Sequence, residues 1–347
     1  MEASIPSAST RFRALQHRNF QLFFGGQLVS LIGTWMQSTA QLWLVYKLTG
    51  SAALLGIFGF ANQIAILLLA SVGGYIGDRY NRHKGVIWTQ TASMFLAFLL
   101  AGLALSGLIQ GRTGAWVVIL IAFLVGIVNA FDIPIRQAFL VQMVGKDDLP
   151  NAIALNSSIF NGARVFGPAI AGGAIAWLEA HHVKSPEGWC FLLNGVSFLA
   201  VIAALFAMRI DAAQPKPADG SPLRKLLEGF RYSMSDYPTR SALTLLTVLS
   251  FFGLQYSVFL PVFAKDVLHR GAEGFGLLLS TAGVGAVLGA LQFAARTSYK
   301  GLAKWIAAMS TLCAICLILF SGSHLFWLSA ALLFVVGFTA TSQMAAT

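Results

Sequence analysis

Neutral polar residues recur at helical spacing in the first long apolar segment of this sequence. In an α-helix, residues three and four apart lie on one face. Amide and hydroxyl groups on such a face can bind a bulky, uncharged or weakly charged small molecule, or they can join helices to each other. We favour a ligand-binding face, because so many polar side chains exceed what packing requires. The six residues are Gln27, Ser30, Thr34, Gln37, Ser38 and Gln41.

The composition shows where these residues must act. Of 347 residues, 57% are hydrophobic and 10% are charged, and the mean hydropathy is +0.73. A soluble domain is about 45–50% apolar and about 25% charged. A soluble enzyme, a disordered chain and a secreted disulfide scaffold are therefore disfavoured, and the sequence predicts an integral membrane protein in a lipid bilayer. Cys313 and Cys316 lie within an apolar run, which favours helix packing over a redox or zinc site.

Ten apolar runs are long enough to serve as membrane spans. A hydrocarbon core about 30 Å thick requires roughly 20 mostly apolar residues per helix. The predicted spans are 20–46, 52–76, 86–108, 115–138, 151–178, 189–208, 240–264, 273–295, 303–322 and 324–345.

The basic residues are distributed unevenly between the loops. With the N-terminus in the cytoplasm, 17 Lys and Arg residues fall on the cytoplasmic side and 5 on the other. Cytoplasmic loops of membrane proteins carry such an excess. The net charge of +10 is thus explained by topology, without nucleic acid, and the sequence predicts a multi-pass protein with a cytoplasmic N-terminus.

One hydrophilic stretch divides the chain. We expect a six-helix bundle over 1–208, a cytoplasmic linker over 209–239 and a four-helix bundle over 240–347. Within the linker, Ser221 and Pro222 suit the start of a helix. Apolar residues then recur at helical spacing and basic ones lie on the other face, which predicts a short amphipathic helix on the cytoplasmic leaflet.

Two ionisable residues within the spans are candidates for function. Arg164 follows Asn161 at helical spacing and lies about 20 Å into its helix. An unpaired cation at that depth costs at least about 2.5–3.5 kcal/mol. Arg164 is therefore expected to face a partner, water or an anionic substrate group, unless its helix projects into the cytoplasm. Asp132 precedes Arg136 by four residues, which favours an ion pair. It is also the best-placed acid for a proton relay.

A glycine-rich helix end followed by a charged turn separates the second and third spans. The segment GGYIGDRYNRHK is compatible with a tight positively charged loop. Its spacing also resembles the loop 2–3 signature of the major facilitator superfamily, in which an acid–base pair follows glycine and two cations follow a turn residue. Asn81 stands where that signature has glycine, and Asn tolerates a left-handed turn. The matching residues are Gly74, Asp78, Arg79, Arg82 and Lys84.

Two further segments extend the resemblance to most of the chain. NAFDIPIRQAFLVQMVGKDDLPNAIALNSS is similar to loop 4–5 of the bacterial drug and siderophore (enterobactin) exporter-like branch. ARVFGPAIAGG resembles the antiporter motif of the superfamily. It has one residue more than that motif between the pairs Gly167-Pro168 and Gly172-Gly173. The residues of this antiporter-like motif are Gly167, Pro168, Gly172 and Gly173.

The resemblance implies an all-α polytopic fold of six plus six helices, of which this chain supplies six plus four. In the family, the loop 2–3 aspartate meets the eleventh helix and steadies the outward-facing state. That helix is not within this sequence, so we expect either a C-terminally shortened sequence or a degenerate paralogue.

The implied function is secondary transport by alternating access. We expect a monomeric, proton-coupled exporter (an antiporter) of small amphipathic, drug- or siderophore-like molecules in the bacterial inner membrane, without cofactor or metal. The export direction rests on the resemblance alone. The glycine-rich TAGVGAVLGA is no phosphate-binding loop, which argues against ATP as the driving force. A non-transporting membrane protein or assembly partner is the alternative. An enzyme is disfavoured, because the histidines lie in loops or at span ends.

Overall fold

The computed structural model describes residues 12–210, 255–295 and 301–346, together with isolated residues between 231 and 253. Its long elements are α-helices, preceded by a single 3-10 turn at Arg13–Gln16. Helix α7 continues into a π-helical turn at Phe263–Val267. The helices are α1 Arg18–Thr49, α2 Ala52–Arg79, α3 Arg82–Leu105, α4 Gly111–Val144, α5 Leu149–Ala180, α6 Pro186–Ala207, α7 Tyr256–Val262, α8 Ala272–Ala294, α9 Leu302–Ser321 and α10 Phe326–Ala346.

The all-helical, membrane-spanning class predicted from the sequence is confirmed. In the described part of the chain, seven helices are long and apolar enough to cross a membrane. Helices α1 and α5 are not among the seven, although each has 32 residues, and these two helices carry the polar residues noted above. The predicted span 240–264 is described only in part. The count of ten spans and the division at 209–239 therefore stay predictions, and most of the amphipathic segment lies outside the described residues.

Large apolar side chains on the outside of the bundle indicate a lipid-facing surface. Leu67 is 75% exposed and Trp88 is 74% exposed. A soluble protein rarely exposes so many large apolar side chains in contiguous patches. In a bilayer the same side chains contact acyl chains, which agrees with the low charge of the sequence.

Glycines bring the helix backbones into direct contact. A Cβ atom at Gly126 of α4 would lie 2.4 Å from the carbonyl oxygen of Asn62 in α2. A Cβ atom at Gly285 of α8 would lie 1.9 Å from the carbonyl oxygen of Phe334 in α10. Small residues at helix interfaces permit such an approach in membranes, where packing drives association. These glycine contacts therefore fix α4 against α2 and α8 against α10.

The turn between α2 and α3 is built differently from the expectation. Asn81 takes φ −62° and ψ 112°, and its side-chain oxygen accepts a hydrogen bond from the Lys84 backbone N–H. It is thus the N-cap of α3, a position that favours Asn. The left-handed conformation expected at this position is not used, because capping α3 requires an extended backbone.

Candidate functional site

A cavity of about 510 Å³ lies between five of the first six helices and the segment that begins α7. Its walls come from α1, α2, α3, α4 and α6, and from Gln255, Ser257 and Val258. All six polar residues of the predicted α1 face line it. The sequence spacing therefore identified one face of α1, and the tertiary structure places that face on a cavity.

Two of the three hydroxyl groups on the predicted α1 face are used within the helix. The Thr34 hydroxyl donates to the Ser30 carbonyl oxygen at 2.9 Å, and the Ser38 hydroxyl donates to the Thr34 carbonyl oxygen at 3.0 Å. Hydroxyls that bond the preceding turn satisfy themselves locally. The amide side chains of this face therefore remain available for hydrogen bonds to other helices or to a ligand.

The α1 amides differ in how far the protein satisfies them. Gln37 accepts a hydrogen bond from Asn194 of α6 at 2.8 Å. The Nε2 atoms of Gln27 and Gln41 are buried without a hydrogen-bond partner among the described residues. A buried donor left unpaired costs about 1–3 kcal/mol. Each of these Nε2 atoms can therefore donate a hydrogen bond to an oxygen atom of a ligand or to a water molecule.

An ion pair with a buried carboxylate lines the cavity. Asp132 of α4 is 3% exposed and lies 3.1 Å from the Nε atom of Arg136. The predicted i, i+4 pair is therefore present. The other oxygen of Asp132 accepts hydrogen bonds from Thr89 at 2.6 Å and Gln90 at 2.9 Å. The carboxylate is thus stabilised by three neighbouring side chains.

The pair is also connected to the α1 face. Arg136 donates to the Oε1 atom of Gln27 at 3.1 Å. Because a guanidinium only donates, this contact fixes the orientation of the Gln27 amide and leaves its Nε2 as the free end. Neither the composition nor the spacing of the sequence singles out Thr89 or connects Gln27 to Arg136. The only signal for Thr89 was a polar pair, Thr89-Gln90, in an otherwise apolar span.

Two predicted cavity residues lie elsewhere. The Asn161 amide donates to the Ser157 carbonyl oxygen of its own helix at 2.8 Å, and neither Asn161 nor Arg164 lines the cavity. The guanidinium of Arg164 lies 5.9 Å from the ring centroid of Trp35, and Trp35 itself lines the cavity. The Trp35 ring thus lies between Arg164 and the cavity that the sequence predicted Arg164 to line.

The loop 2–3 motif connects three helices. Arg82 donates to the carbonyl oxygen of Gly77 at 3.3 Å and to that of Ala138 in α4 at 3.4 Å. Arg79 lies over the ring of Tyr75 at 4.4 Å, and Lys84 is bonded through its backbone to the N-cap. The side chain of Asp78 lies outside the described part of the structure. Its predicted role therefore stays a prediction.

The glycines that pack closely near this motif are not Gly74, the glycine that matches the family signature. A Cβ atom at Gly74 would meet nothing within 4 Å, whereas one at Gly73 would lie 2.1 Å from the Ala130 carbonyl oxygen. One at Gly77 would lie 2.9 Å from the side chain of Ile135. The close approach of α2 to α4 is therefore made at Gly73 and Gly77.

The antiporter-like motif lies where α5 meets two neighbours. A Cβ atom at Gly167 would lie 2.4 Å from the Cβ atom of Trp35 in α1. One at Gly172 would lie 2.5 Å from the carbonyl oxygen of Ala272 in α8, whereas one at Gly173 would meet nothing within 4 Å. Pro168 is buried between these contacts. The motif thus joins the first six helices to α8.

Comparison with known proteins agrees with this architecture. The profile of the transmembrane secretion effector family, a branch of the major facilitator superfamily, matches residues 9–346. The chain belongs to this family. Its members are transporters and not enzymes, so the predicted absence of enzymatic function is supported by the family and the chain is a multi-pass membrane transporter of a small-molecule substrate.

Two curated relatives of this chain are named as transporters of siderophores. The staphyloferrin A transporter of Staphylococcus aureus is 26% identical over 297 residues, which span 85% of this chain and 72% of the relative. The enterobactin exporter of Shigella boydii is 24% identical over 305 residues, which span 86% of this chain and 69% of the relative. The predicted resemblance to the siderophore exporter branch is therefore confirmed.

Solved structures show the same fold. A bacterial homologue of the iron transporter ferroportin in an inward-facing state has a TM-score of 0.67 and 18% identity, covering 96% of this chain and 82% of that chain. A bacterial homologue of the human lysosomal transporter Spinster has a TM-score of 0.64 and 15% identity, covering 98% and 75%. At these identities the likeness concerns the fold alone, which is the major facilitator fold.

Proposed function

We propose that this chain is a proton-coupled exporter of small amphipathic molecules of drug or siderophore type. It works as a monomer in the bacterial inner membrane with its N-terminus in the cytoplasm, and it requires no cofactor or metal. The names of the two curated relatives support a siderophore-like substrate. The family membership favours transport over a non-transporting membrane protein.

The observation that carries this proposal is the position of the cavity. Its walls combine five of the first six helices with Gln255, Ser257 and Val258, which belong to the C-terminal part of the chain. A ligand in this space contacts both parts at once. Rocking of one bundle against the other around such a site exposes it to alternate sides of a membrane. We take 1–208 and 240–347 as the two moving bundles and 209–239 as their linker.

The cavity chemistry suits a bulky ligand of low charge. Unpartnered amide donors at Gln27 and Gln41 are complementary to carbonyl, hydroxyl or carboxylate oxygens on a substrate. The proposed substrate face comprises Gln27, Ser30, Thr34, Gln37 and Gln41, with Asn161 and Arg164 at its margin. Aromatic surface from Trp35 and Phe58 accommodates the apolar part of an amphipathic molecule.

Asp132 is the proposed proton site. It is the acidic residue among the described residues that line the cavity, and it is buried. Protonation removes the negative charge that holds Arg136, so the guanidinium is released toward Gln27 and the cavity. The charge state of one carboxylate thereby changes the hydrogen bonds that a substrate meets, which is what coupling between a proton and a substrate requires.

The two sequence motifs are proposed to act on the conformational change. Gly74, Asp78, Arg79, Arg82 and Lys84 form the proposed switch, because Arg82 ties the α2–α3 turn to the end of α4. Gly167, Pro168, Gly172 and Gly173 form the proposed pivot of α5 against α1 and α8, where Gly167 and Gly172 permit close contact.

A flux assay in inside-out vesicles tests the proposal. The full chain is reconstituted in inside-out membrane vesicles, and uptake of staphyloferrin A and of enterobactin is measured with and without an acidic interior. Because the vesicle interior corresponds to the outside of the cell, an exporter accumulates substrate there. We expect gradient-dependent uptake that a protonophore abolishes. Uptake that is the same with and without the gradient contradicts proton coupling, and no uptake of either compound contradicts the export proposal.

The matched pair Asp132→Asn and Asp147→Asn locates the proton site. Each variant removes one carboxylate charge, but Asp147 is exposed in the loop that precedes α5. We expect Asp132→Asn to abolish the dependence of flux on the gradient and Asp147→Asn to retain it. Gradient-dependent flux in both variants contradicts the assignment of Asp132 while leaving export itself intact.

A further inference from the structure

Arg164 is a cation without a counter-charge among the described residues. The two buried carboxylates among the described residues have other partners: Asp132 pairs with Arg136 and Glu187 pairs with Lys47. No described carboxylate lies within ion-pairing distance of Arg164. Ionisable residues inside membrane spans normally pair or serve a substrate pathway, since an isolated charge there is costly. Within the described part of the chain this charge has no acidic partner, which leaves the guanidinium available to an anionic ligand.

The surroundings of Arg164 are aromatic and come from both parts of the molecule. Its guanidinium lies over the Trp35 ring of α1 at 5.9 Å. Tyr256, the first residue of α7, stands in the chain between the cavity-lining residues Gln255 and Ser257. The edge of Phe160 meets the Trp35 ring at 5.7 Å with an interplanar angle of 70°. A guanidinium stacks on aromatic faces and binds oxyanions through its planar set of donors, so a cation bordered by rings can hold an anion attached to an aromatic or apolar body.

Backbone packing fixes these groups in place. Gly167 lies against the Cβ atom of Trp35, one turn beyond Arg164. On the opposite side, Gly283 of α8 lies against the Arg164 carbonyl oxygen, and the Ser280 hydroxyl donates to the Val165 carbonyl oxygen at 2.7 Å. The base of the Arg164 side chain is thus held between α1 and α8, while the half-buried guanidinium extends toward the ring that lines the cavity.

We propose that Arg164, Trp35 and Tyr256 form an anion-binding subsite at the edge of the cavity, which accepts a carboxylate or sulfonate group carried on an aromatic or apolar body. The subsite rests on the proposed function, since it gives the substrate of the same cavity a negative charge. The guanidinium binds the oxyanion, and the two rings border its apolar part. Because Trp35 belongs to the first bundle and Tyr256 to the second, the bound anion contacts both.

The distinguishing experiment compares two probes that differ in one charge. Dansylglycine carries a carboxylate, and dansylglycinamide is its neutral amide. Binding of each to the purified full chain in detergent is measured by quenching of tryptophan fluorescence. A hydrogen-bonded charge pair favours the acid by about tenfold or more. We expect that preference in the wild-type protein, its loss in Arg164→Gln with binding of the amide unchanged, and its retention in Arg164→Lys.

Controls make each outcome decisive. Arg112→Gln removes an exposed arginine at the start of α4 and is expected to leave the preference intact. If Arg164→Gln does not fold, the variants Trp35→Phe and Trp177→Phe test the subsite instead. We expect Trp35→Phe to reduce the quenching of tryptophan fluorescence by dansylglycine more than Trp177→Phe does. Equal affinities for acid and amide in the wild type, a preference that persists in Arg164→Gln, or no binding of the acid each overturn the subsite. The assay uses no gradient, so it fails or succeeds independently of the flux experiment.

Discussion

At the scale of single residues, the Asp132–Arg136 ion pair is hydrogen-bonded to side chains of two other helices. Spacing alone predicts the ion pair, since residues four apart on a helix are adjacent. Thr89 and Gln90 of α3 and Gln27 of α1 turn the pair into a connected network. Removing one member therefore changes the hydrogen bonding of residues on two other helices.

Breaking the pair on one side should destabilise the protein. Arg136→Gln leaves the buried Asp132 carboxylate without its cation, and breaking a buried pair costs about 3–5 kcal/mol. We expect a lower melting temperature for the purified protein in detergent. The double variant Asp132→Asn/Arg136→Gln removes both charges and should recover most of the loss. A double variant as unstable as the sum of the single variants would show that the two residues act independently.

At the scale of helices, neighbouring glycines of α5 have different structural roles. Gly172 touches the α8 backbone at Ala272 and Gly276, whereas Gly173 faces open space. The sequence presents them as one motif. The difference arises because adjacent residues on a helix point about 100° apart, so only one of them can face α8.

This contrast supplies a matched pair of variants. Gly172→Ala forces a methyl group against the Ala272 carbonyl oxygen, and overpacking of this kind costs about 1–3 kcal/mol. We expect lower thermal stability and reduced flux for Gly172→Ala, and values close to wild type for Gly173→Ala. Thermal unfolding in detergent and vesicle uptake measure the two effects. Equal effects of the two substitutions would argue against close α5–α8 packing at this point.

At the scale of the whole molecule, the two parts of the chain touch at one end of the bundle. The Tyr46 hydroxyl donates to Asp266, and the Trp43 ring stacks on Phe275 at 6.1 Å. Both contacts lie near the α1–α2 turn at Gly50, the end that the charge distribution predicts to be outside. They are therefore placed to keep the cavity closed toward that side.

Removing the Tyr46–Asp266 contact should open the cavity outward. A hydrogen bond to a carboxylate worth about 1–2 kcal/mol changes a two-state equilibrium by roughly five- to thirtyfold. We expect Tyr46→Phe to raise the labelling rate of a cysteine placed at the cavity residue Gln63 by a membrane-impermeant thiol reagent added outside cells. Native cysteines do not interfere, because Cys190, Cys313 and Cys316 are buried.

Lys47 provides the control for this prediction. It lies beside Tyr46, but its partners Glu179 and Glu187 belong to the first six helices. Lys47→Met removes an interaction within one bundle and should leave labelling from outside unchanged. An equal increase in both variants would indicate general loosening rather than release of a contact between the two parts.

The sequence by itself determined the membrane class, the all-helical fold and the transporter family. These follow from properties carried locally: the low charge, the length of each apolar run and the spacing of residues within the matching motifs. The polar face of α1 and the Asp132–Arg136 pair were also accessible, because helical periodicity relates residues that are near in sequence.

Only the tertiary structure decided what these faces meet. It placed the α1 face on a cavity, joined Gln27 to Arg136 across 109 positions of the chain, and set Arg164 behind Trp35 instead of on the cavity wall. It also showed which glycines of the loop 2–3 segment make the close approach of α2 to α4, namely Gly73 and Gly77. Contacts between helices depend on the rotation of each helix about its axis, which backbone packing fixes and local spacing does not encode.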